Sequence, residues 1–243
     1  MPPDPQSQAE EDAAFAPSDA FYKQAKTLYA SGDLAGAEAA CLNALNNPPV
    51  FQGRTLHVPF VADLLGQVYL KDGQYEKAIY WLQGARHTTM DSSLNLNLAL
   101  AYLKQGDFQT ARRHYSAEAA AKAMSTLNEY SPQDLPGTDT PDALEASILM
   151  ARGVDASCED RMDDALPDLQ RANQLAPDNA LVAYHYARLL NEKGRLTEAL
   201  PLYEQAASKS HGRAASDAGD HIAGIRSALR YRAAHPEKQF SWR

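Results

Sequence analysis

Cysteine is scarce in this sequence, which has two of them in 243 residues. Cys41 and Cys158 lie far apart, and neither belongs to a Cys-x-x-C pair or to a histidine–cysteine cluster with zinc spacing. This pattern predicts a buried free thiol at Cys41. Such low use of cysteine is typical of a reducing compartment.

Long apolar runs are missing as well. No run approaches the roughly 20 residues that a membrane-spanning helix needs, so we predict no membrane insertion. Residues 1–19, MPPDPQSQAEEDAAFAPSD, are acidic and proline-rich and lack the basic start and apolar stretch of a secretory signal. We therefore expect a disordered tail over 1–17 and a cytoplasmic protein, or a periplasmic one if a signal peptide has been removed.

Positive charge is in short supply, since 23 Lys and Arg face 31 Asp and Glu and the net charge is -8. Nucleic-acid-binding domains usually carry a basic footprint, so we predict no nucleic-acid partner. The segment 207–243 departs from this balance, with seven basic and three acidic residues. It is either a basic docking surface or a solvated closing helix, and the second is favoured because mixed-charge helix faces are common.

The motifs of common enzymes are absent. The seven histidines include no H-E-x-x-H pair, and the sequence has neither a phosphate-binding G-x-x-x-x-G-K-[ST] loop nor a G-x-S-x-G nucleophile turn. The acidic run from Asp155 to Asp164 lacks the order of a calcium loop. We predict a protein without catalytic activity, metal or cofactor.

The sequence does contain internal repeats. Four glycines and one aspartate mark five copies: Gly32, Gly73, Gly106, Asp160 and Gly194. Each is followed five residues later by an alanine: Ala37, Ala78, Ala111, Ala165 and Ala199. Two neighbouring pairs of markers are 33 and 34 residues apart and the others 41 and 54. Abundant alanine and few β-branched residues favour close-packed helices, so we predict an all-α fold.

The repeated pattern resembles the tetratricopeptide repeat, a 34-residue helix–turn–helix unit. The second and third copies read Leu65-Gly66-x-x-Tyr69 with Ala78, and Leu98-Ala99-x-x-Tyr102 with Ala111. The resemblance implies an α-α superhelix, or solenoid, of about five repeats, and a solenoid needs a capping helix at its end. Asn95, Glu118 and Arg152 depart from the family pattern around the 54-residue gap.

These patterns predict the following domain organisation. Repeats 1–3 occupy residues 18–130, and repeats 4–5 occupy residues 143–207. Between them lies a linker loop, 131–142, and after them come a C-terminal capping helix, 208–235, and a flexible tail, 236–243. The capping helix is predicted from Ile222, Ile225 and Leu229, which recur at helical spacing. Whether the solenoid continues across 119–145 is left open.

The resemblance also implies a function, that of a scaffold binding a peptide or helix of a partner protein in the concave groove. The first helix of each repeat lines that groove. The candidate binding residues are Tyr22, Lys26, Tyr29, Phe60, Gln67, Leu70, Lys71, Leu96, Asn97, Leu100, Leu103, Lys104, Tyr184, Arg188 and Asn191. For Leu96 and Leu100 a place in the core is an equally good interpretation.

Two further expectations follow from the resemblance. Chaperone-docking repeats clamp a terminal carboxylate with lysine, asparagine and arginine, whereas the matching positions here hold Tyr22, Lys26, Leu64, Ser93 and Asn97. We therefore predict no tight recognition of an acidic chaperone tail. The alternative function is that of an assembly factor or structural subunit of a bacterial envelope or secretion complex, acting through self-association, so a homo-oligomer is possible.

Overall fold

The part of the chain that the structure describes is all-α apart from one short strand pair. The computed structural model describes residues 5–51, 54–55, 59–86, 92–116, 136–210 and 213–235, which form two compact units, Met1–His114 and Tyr115–Arg243. The first unit holds α1 (Pro5–Ser31), α2 (Leu34–Asn46), β1 (Val50–Phe51), β2 (Arg54–Thr55), α3 (Pro59–Lys71), α4 (Tyr75–Arg86) and α5 (Ser92–Gln105). The boundary falls in α6, which is helical over 108–116. The second holds α7 (Pro141–Cys158), α8 (Met162–Leu175), α9 (Ala180–Glu192), α10 (Leu196–Lys209) and α11 (Arg213–Ala234).

The turn inside each helix pair follows from the repeated glycine. Gly73 has φ 77°, a left-handed conformation that glycine adopts without a steric penalty and that ends a helix. Gln74 then donates its backbone N–H to the Tyr69 carbonyl at 2.9 Å. Asp160 takes the same role with φ 60°, which confirms that it replaces the glycine in the fourth copy.

The helix pairs close on seams of small residues. The five predicted seam alanines are fully buried: Ala37, Ala78, Ala111, Ala165 and Ala199. Gly66 faces Leu82 of the next helix so closely that a Cβ there would lie 2.6 Å from Leu82 Cγ. Gly153 has the same relation to Leu169. The structure therefore confirms the helical-hairpin architecture of the repeats.

The first unit packs its hairpins around one apolar cluster. Cys41 lies in this cluster as predicted, and burial raises the pKa of its thiol to about 12. Tyr69 of α3 donates its hydroxyl to Glu38 Oε1 of α2 at 2.7 Å. The hydrogen bond satisfies a largely buried hydroxyl and joins neighbouring repeats.

A closing helix ends the second unit, as the sequence predicts. In α11, Ala214, Ala218 and Ile225 are buried, and the helix packs against α10 and α9. Arg226 forms an ion pair with Glu204 of α10 at 2.7 Å. Among the described helices, none is long and apolar enough to cross a bilayer.

Two predicted boundaries are corrected. The first helix starts at Pro5, inside the tail predicted to be disordered over 1–17, because the alanines and glutamates of that stretch are strong helix formers. The helix α7 starts at Pro141, inside the predicted linker 131–142. There Thr140 accepts the Ala143 backbone N–H at 3.2 Å, and proline is favoured at a first helical position. Residues 117–135 and the tail 236–243 lie outside the described residues.

Candidate peptide-binding face

Four of the candidate groove residues are buried, which corrects their prediction as binding residues. Leu96, Asn97, Leu100 and Tyr184 expose 2%, 3%, 6% and 5% of their surface. The reason is that their helices are covered on all sides, since every residue of 96–101 and of 180–187 is buried. A partner cannot reach these side chains without opening the fold. The core interpretation of Leu96 and Leu100 is therefore correct.

The other candidates are half-buried or exposed. Arg188 and Asn191 lie on α9, and Leu103 and Lys104 lie at the end of α5. The remaining ones belong to α1 and α3 of the first unit. We call these residues, with Asp63, the first-helix face: Tyr22, Lys26, Tyr29, Phe60, Asp63, Gln67, Leu70 and Lys71.

Aromatic rings form the floor of the first-helix face. Tyr22 and Phe60 meet edge to face, with ring centroids 4.8 Å apart, which joins α1 to α3. Tyr22, Tyr29, Phe60 and Leu70 all pack against the buried cluster of the first unit while keeping part of their surface accessible. Such half-buried rings are rigid, because their inner edges are held by the core. Rigid aromatic side chains are frequent anchors in protein interfaces.

Two lysines stand over this floor. Lys71 of α3 reaches across to α1, where its Nζ lies 4.5 Å from the centre of the Tyr29 ring. Lys26 Nζ lies 5.7 Å from the Tyr22 ring on its own helix. Both lysines are exposed, and among the described residues neither is joined to a carboxylate. Cation–π contacts of this kind hold the ammonium groups in place while leaving them accessible.

The polar pair Asp63 and Gln67 completes the face. Gln67 donates its side-chain N–H to Asp63 Oδ2 at 2.8 Å, one turn apart on α3. Asp63 is the one acidic member of the face as we define it, so cations outnumber acids there. Lys104 is exposed at the place in α5 that Lys71 occupies in α3, 33 residues earlier.

The second unit contains a histidine–tyrosine cluster that is structural. His185 and Tyr203 are buried, and Tyr203 stacks on His221 of α11 with ring centroids 4.8 Å apart. Tyr184 meets His185 edge to face at 5.4 Å. Burial, and secondly the positive charge of Arg188, lowers the pKa of His185 to about 3. The ring is therefore neutral at physiological pH, and His185 belongs to the buried packing of the fifth repeat.

Two tyrosines that the repeat pattern does not assign to the groove are exposed among the described residues, Tyr80 and Tyr231, and Tyr80 is the more exposed. Tyr80 of α4 is 69% exposed and meets Trp81 edge to face at 5.3 Å. Tyr80 lies on the second helix of its repeat, away from the positions that the repeat pattern assigns to core or groove. The one sequence signal that could have indicated its exposure is an aromatic residue at a position outside the motif. No group of three or more metal-binding side chains occurs among the residues that the structure describes.

Comparisons with known proteins match two parts of the chain to the tetratricopeptide repeat. Two sequence models of the tetratricopeptide repeat match the chain, one over residues 159–218 and the other over 95–117. No curated protein is similar enough in sequence to count as a relative. The family matches lie on α5 and α6 and on α8 to α11.

Solved structures with a similar arrangement include three repeat proteins of low sequence identity. MamA of AMB-1 is 18% identical, with a TM-score of 0.39, and the match covers 79% of this chain and 90% of that one. TTC0263, a thermophilic TPR protein of Thermus thermophilus, is 20% identical with a TM-score of 0.42, and the match covers 87% of this chain and 98% of that one. YrrB, described as a TPR protein with an unusual peptide-binding site, is 16% identical with a TM-score of 0.40, and the match covers 77% of this chain and 84% of that one.

Proposed function

We propose, since this chain is a tetratricopeptide repeat protein, that it is a non-catalytic scaffold that binds a peptide or helix of a partner protein on the first-helix face of its first unit. The observation that carries the proposal is that the first helices of the repeats differ in how accessible their groove positions are. In α1 and α3 all of the groove positions are half-buried or exposed, whereas four of the eight in α5 and α9 are buried. A partner therefore finds accessible anchors on α1 and α3.

The composition of the face fits a protein partner. Tyr22, Tyr29 and Phe60 offer flat apolar surface whose position is already set by the core. Binding to such a surface costs little side-chain entropy, because the rings are ordered before the partner arrives. The lysines at the rim supply charge that steers and orients a ligand.

A photo-cross-linking experiment tests the location. A photoreactive phenylalanine analogue replaces Phe60 in one variant and Tyr80 in a control variant, and adducts formed in cells are compared. The proposal predicts a discrete protein adduct from position 60 that position 80 does not give. Equal adducts from both positions, or adducts from position 80 alone, contradict the proposed site.

A double truncation tests the energetics of the same face. Tyr29→Ala with Phe60→Ala is expected to weaken binding of the cross-linked partner about tenfold or more, because removal of an aromatic anchor typically costs about 2 kcal/mol. Tyr80→Ala is the matched control, since it removes an exposed ring from another helix. Unchanged helical circular dichroism shows that both variants fold, and unchanged affinity of the double variant refutes the proposal.

The alternative, an assembly factor acting through self-association, stays a prediction. The observation that favours it is Tyr80 of α4, which is 69% exposed and meets the half-buried Trp81 edge to face. Light scattering on the purified chain separates the two functions. A stable homo-oligomer that Tyr80→Glu dissociates favours self-association, and a monomer favours the scaffold.

A further inference from the structure

We infer that the first-helix face takes an acidic segment of the partner, one that carries carboxylate side chains along its length and apolar side chains between them. The inference rests on the proposed function and names the chemistry of the ligand. It comes from the arrangement of Lys26 and Lys71 over aromatic rings on α1 and α3, and from the absence of an ion pair at either lysine among the described residues.

The lysine placement indicates an anionic ligand. Lys71 spans from α3 to the Tyr29 ring of α1, and Lys26 stands over Tyr22 on the same helix. A cation–π contact leaves the outer side of each ammonium group open to solvent. A carboxylate approaching from that side forms an ion pair without displacing the ring. Because the ammonium groups are already positioned, the ordering cost of that pair is reduced.

The local charge departs from that of the chain. The whole chain is acidic, with a net charge of -8, and its described acids are paired with basic side chains at many sites, such as Asp163 with Lys193 and Asp178 with Lys209. On the first-helix face, by contrast, Lys26 and Lys71 contact tyrosine rings, and among the described residues neither forms an ion pair. An acidic ligand supplies the missing negative charge, whereas a basic one meets two like charges.

The use of lysine also determines which carboxylates of the ligand are recognised. An ammonium group is a compact point charge with rotatable donors, so it accepts carboxylates in many orientations. A complete clamp for one terminal carboxylate is not available, since Leu64 and Asn97, at two of the clamp positions, are buried. The face therefore recognises side-chain carboxylates along a segment, and the end of the partner chain is not required.

The aromatic floor sets the second requirement. Tyr29 and Phe60 keep part of their rings accessible, and an apolar side chain of the ligand removes that surface from water. Neighbouring helices pack about 8–10 Å apart, and an extended chain advances about 3.3–3.6 Å per residue. Three helices side by side, α1, α3 and the end of α5, are therefore about 24–30 Å wide, and an extended segment that crosses all three needs about eight residues.

A peptide titration tests the inference with the full chain. The probe is a fluorescent peptide of about eight residues, the length derived above, that alternates glutamate with phenylalanine or leucine. It is acetylated and amidated at its ends, and binding is followed by fluorescence anisotropy. Comparison peptides replace every glutamate by glutamine, replace every glutamate by lysine, or leave the C-terminal carboxylate free. We expect the glutamate peptide to bind, the other two side-chain versions to bind much less, and a free C-terminus to make no difference.

Lysine variants connect the selectivity to this face. Lys26→Gln with Lys71→Gln is expected to weaken binding of the glutamate peptide about fivefold to tenfold, as loss of two exposed charge pairs predicts. The matched control is Lys77→Gln on α4, because Lys77 also stands over a tyrosine, 4.9 Å from the Tyr69 ring, but lies on a second helix. The control variant should bind like the wild type.

The outcomes separate this inference from the proposed function. If the glutamine peptide binds as well as the glutamate peptide, and Phe60→Ala abolishes both, the face is a peptide site without acidic selectivity and the inference is wrong. If Lys77→Gln weakens binding as much as the double variant, the charge effect does not belong to this face and the inference is also wrong. Failure of the glutamate peptide to bind overturns it, and the cross-linking result then decides the proposed function separately.

Discussion

Gly66→Ala is expected to lower the free energy of unfolding of the first unit by about 1–2 kcal/mol, although alanine is the better helix former. A Cβ at position 66 would lie 2.6 Å from Leu82 Cγ and 3.3 Å from the Leu82 backbone nitrogen. Leu82 is fully buried and its backbone is fixed in α4, so neither helix can yield without repacking. Urea unfolding followed by tryptophan fluorescence measures the change through Trp81 of the same unit.

An exposed helical glycine provides the control for Gly66. A Cβ at Gly84 of α4 meets nothing within 4 Å. Gly84→Ala is therefore expected to raise the free energy of unfolding by about 0.5–1 kcal/mol, the usual difference between the two residues in a helix. If both substitutions stabilise the protein, α3 and α4 do not approach as closely as described.

Acidification is expected to destabilise the second unit through His185. Because the ring is neutral in the folded state down to a pKa of about 3, while an unfolded histidine binds a proton near pH 6.5, the unfolded state gains protons first. Stability is then complete above about pH 6.5 and falls by about 1.4 kcal/mol per pH unit below it, roughly 2 kcal/mol by pH 5. Urea unfolding at several pH values, followed by circular dichroism, measures this loss.

A substitution that removes the titrating ring isolates this effect. His185→Phe keeps an aromatic edge toward Tyr184. Whatever the stability of this variant at pH 7, its free energy of unfolding should change little between pH 7 and pH 5. His185→Gln serves as a second variant with a polar side chain. The exposed carboxylates of Asp163, Asp178 and Glu198 have pKa values lowered first by hydrogen bonds from their basic partners, so they stay charged in this range. A wild-type slope that both variants retain would contradict the burial of His185.

The hairpins could be predicted from the sequence because their signals are local. The turn at Gly73 needs a left-handed residue, the seam at Ala78 needs a small one, and both recur at the repeat spacing. Asp160 could be identified for the same reason, since its neighbours keep the spacing. The early start of α1 could not be predicted, because the acidic composition and the prolines of that stretch indicate disorder. In the structure the stretch is helical, in keeping with the high helix propensity of its alanines and glutamates.

The binding face could be predicted only in part, because exposure depends on what covers a helix. The repeat pattern places Tyr29, Lys71 and Leu100 alike on groove-lining positions, yet Leu100 is buried and the other two remain accessible. Spacing within one helix does not say which distant segment packs on its outer side. The contact of Lys71 with Tyr29 joins residues 42 positions apart, and no pattern within either helix predicts it.

Hydrogen exchange with the glutamate peptide bound is the most direct test of the claim that partners bind on α1 and α3. A ligand seated on the first-helix face slows amide exchange by stabilising the helices that it contacts. We expect slower exchange across residues 18–31 and 59–71 and unchanged exchange across 180–192. Protection confined to α9–α11, or to the second helices α2 and α4, would contradict it.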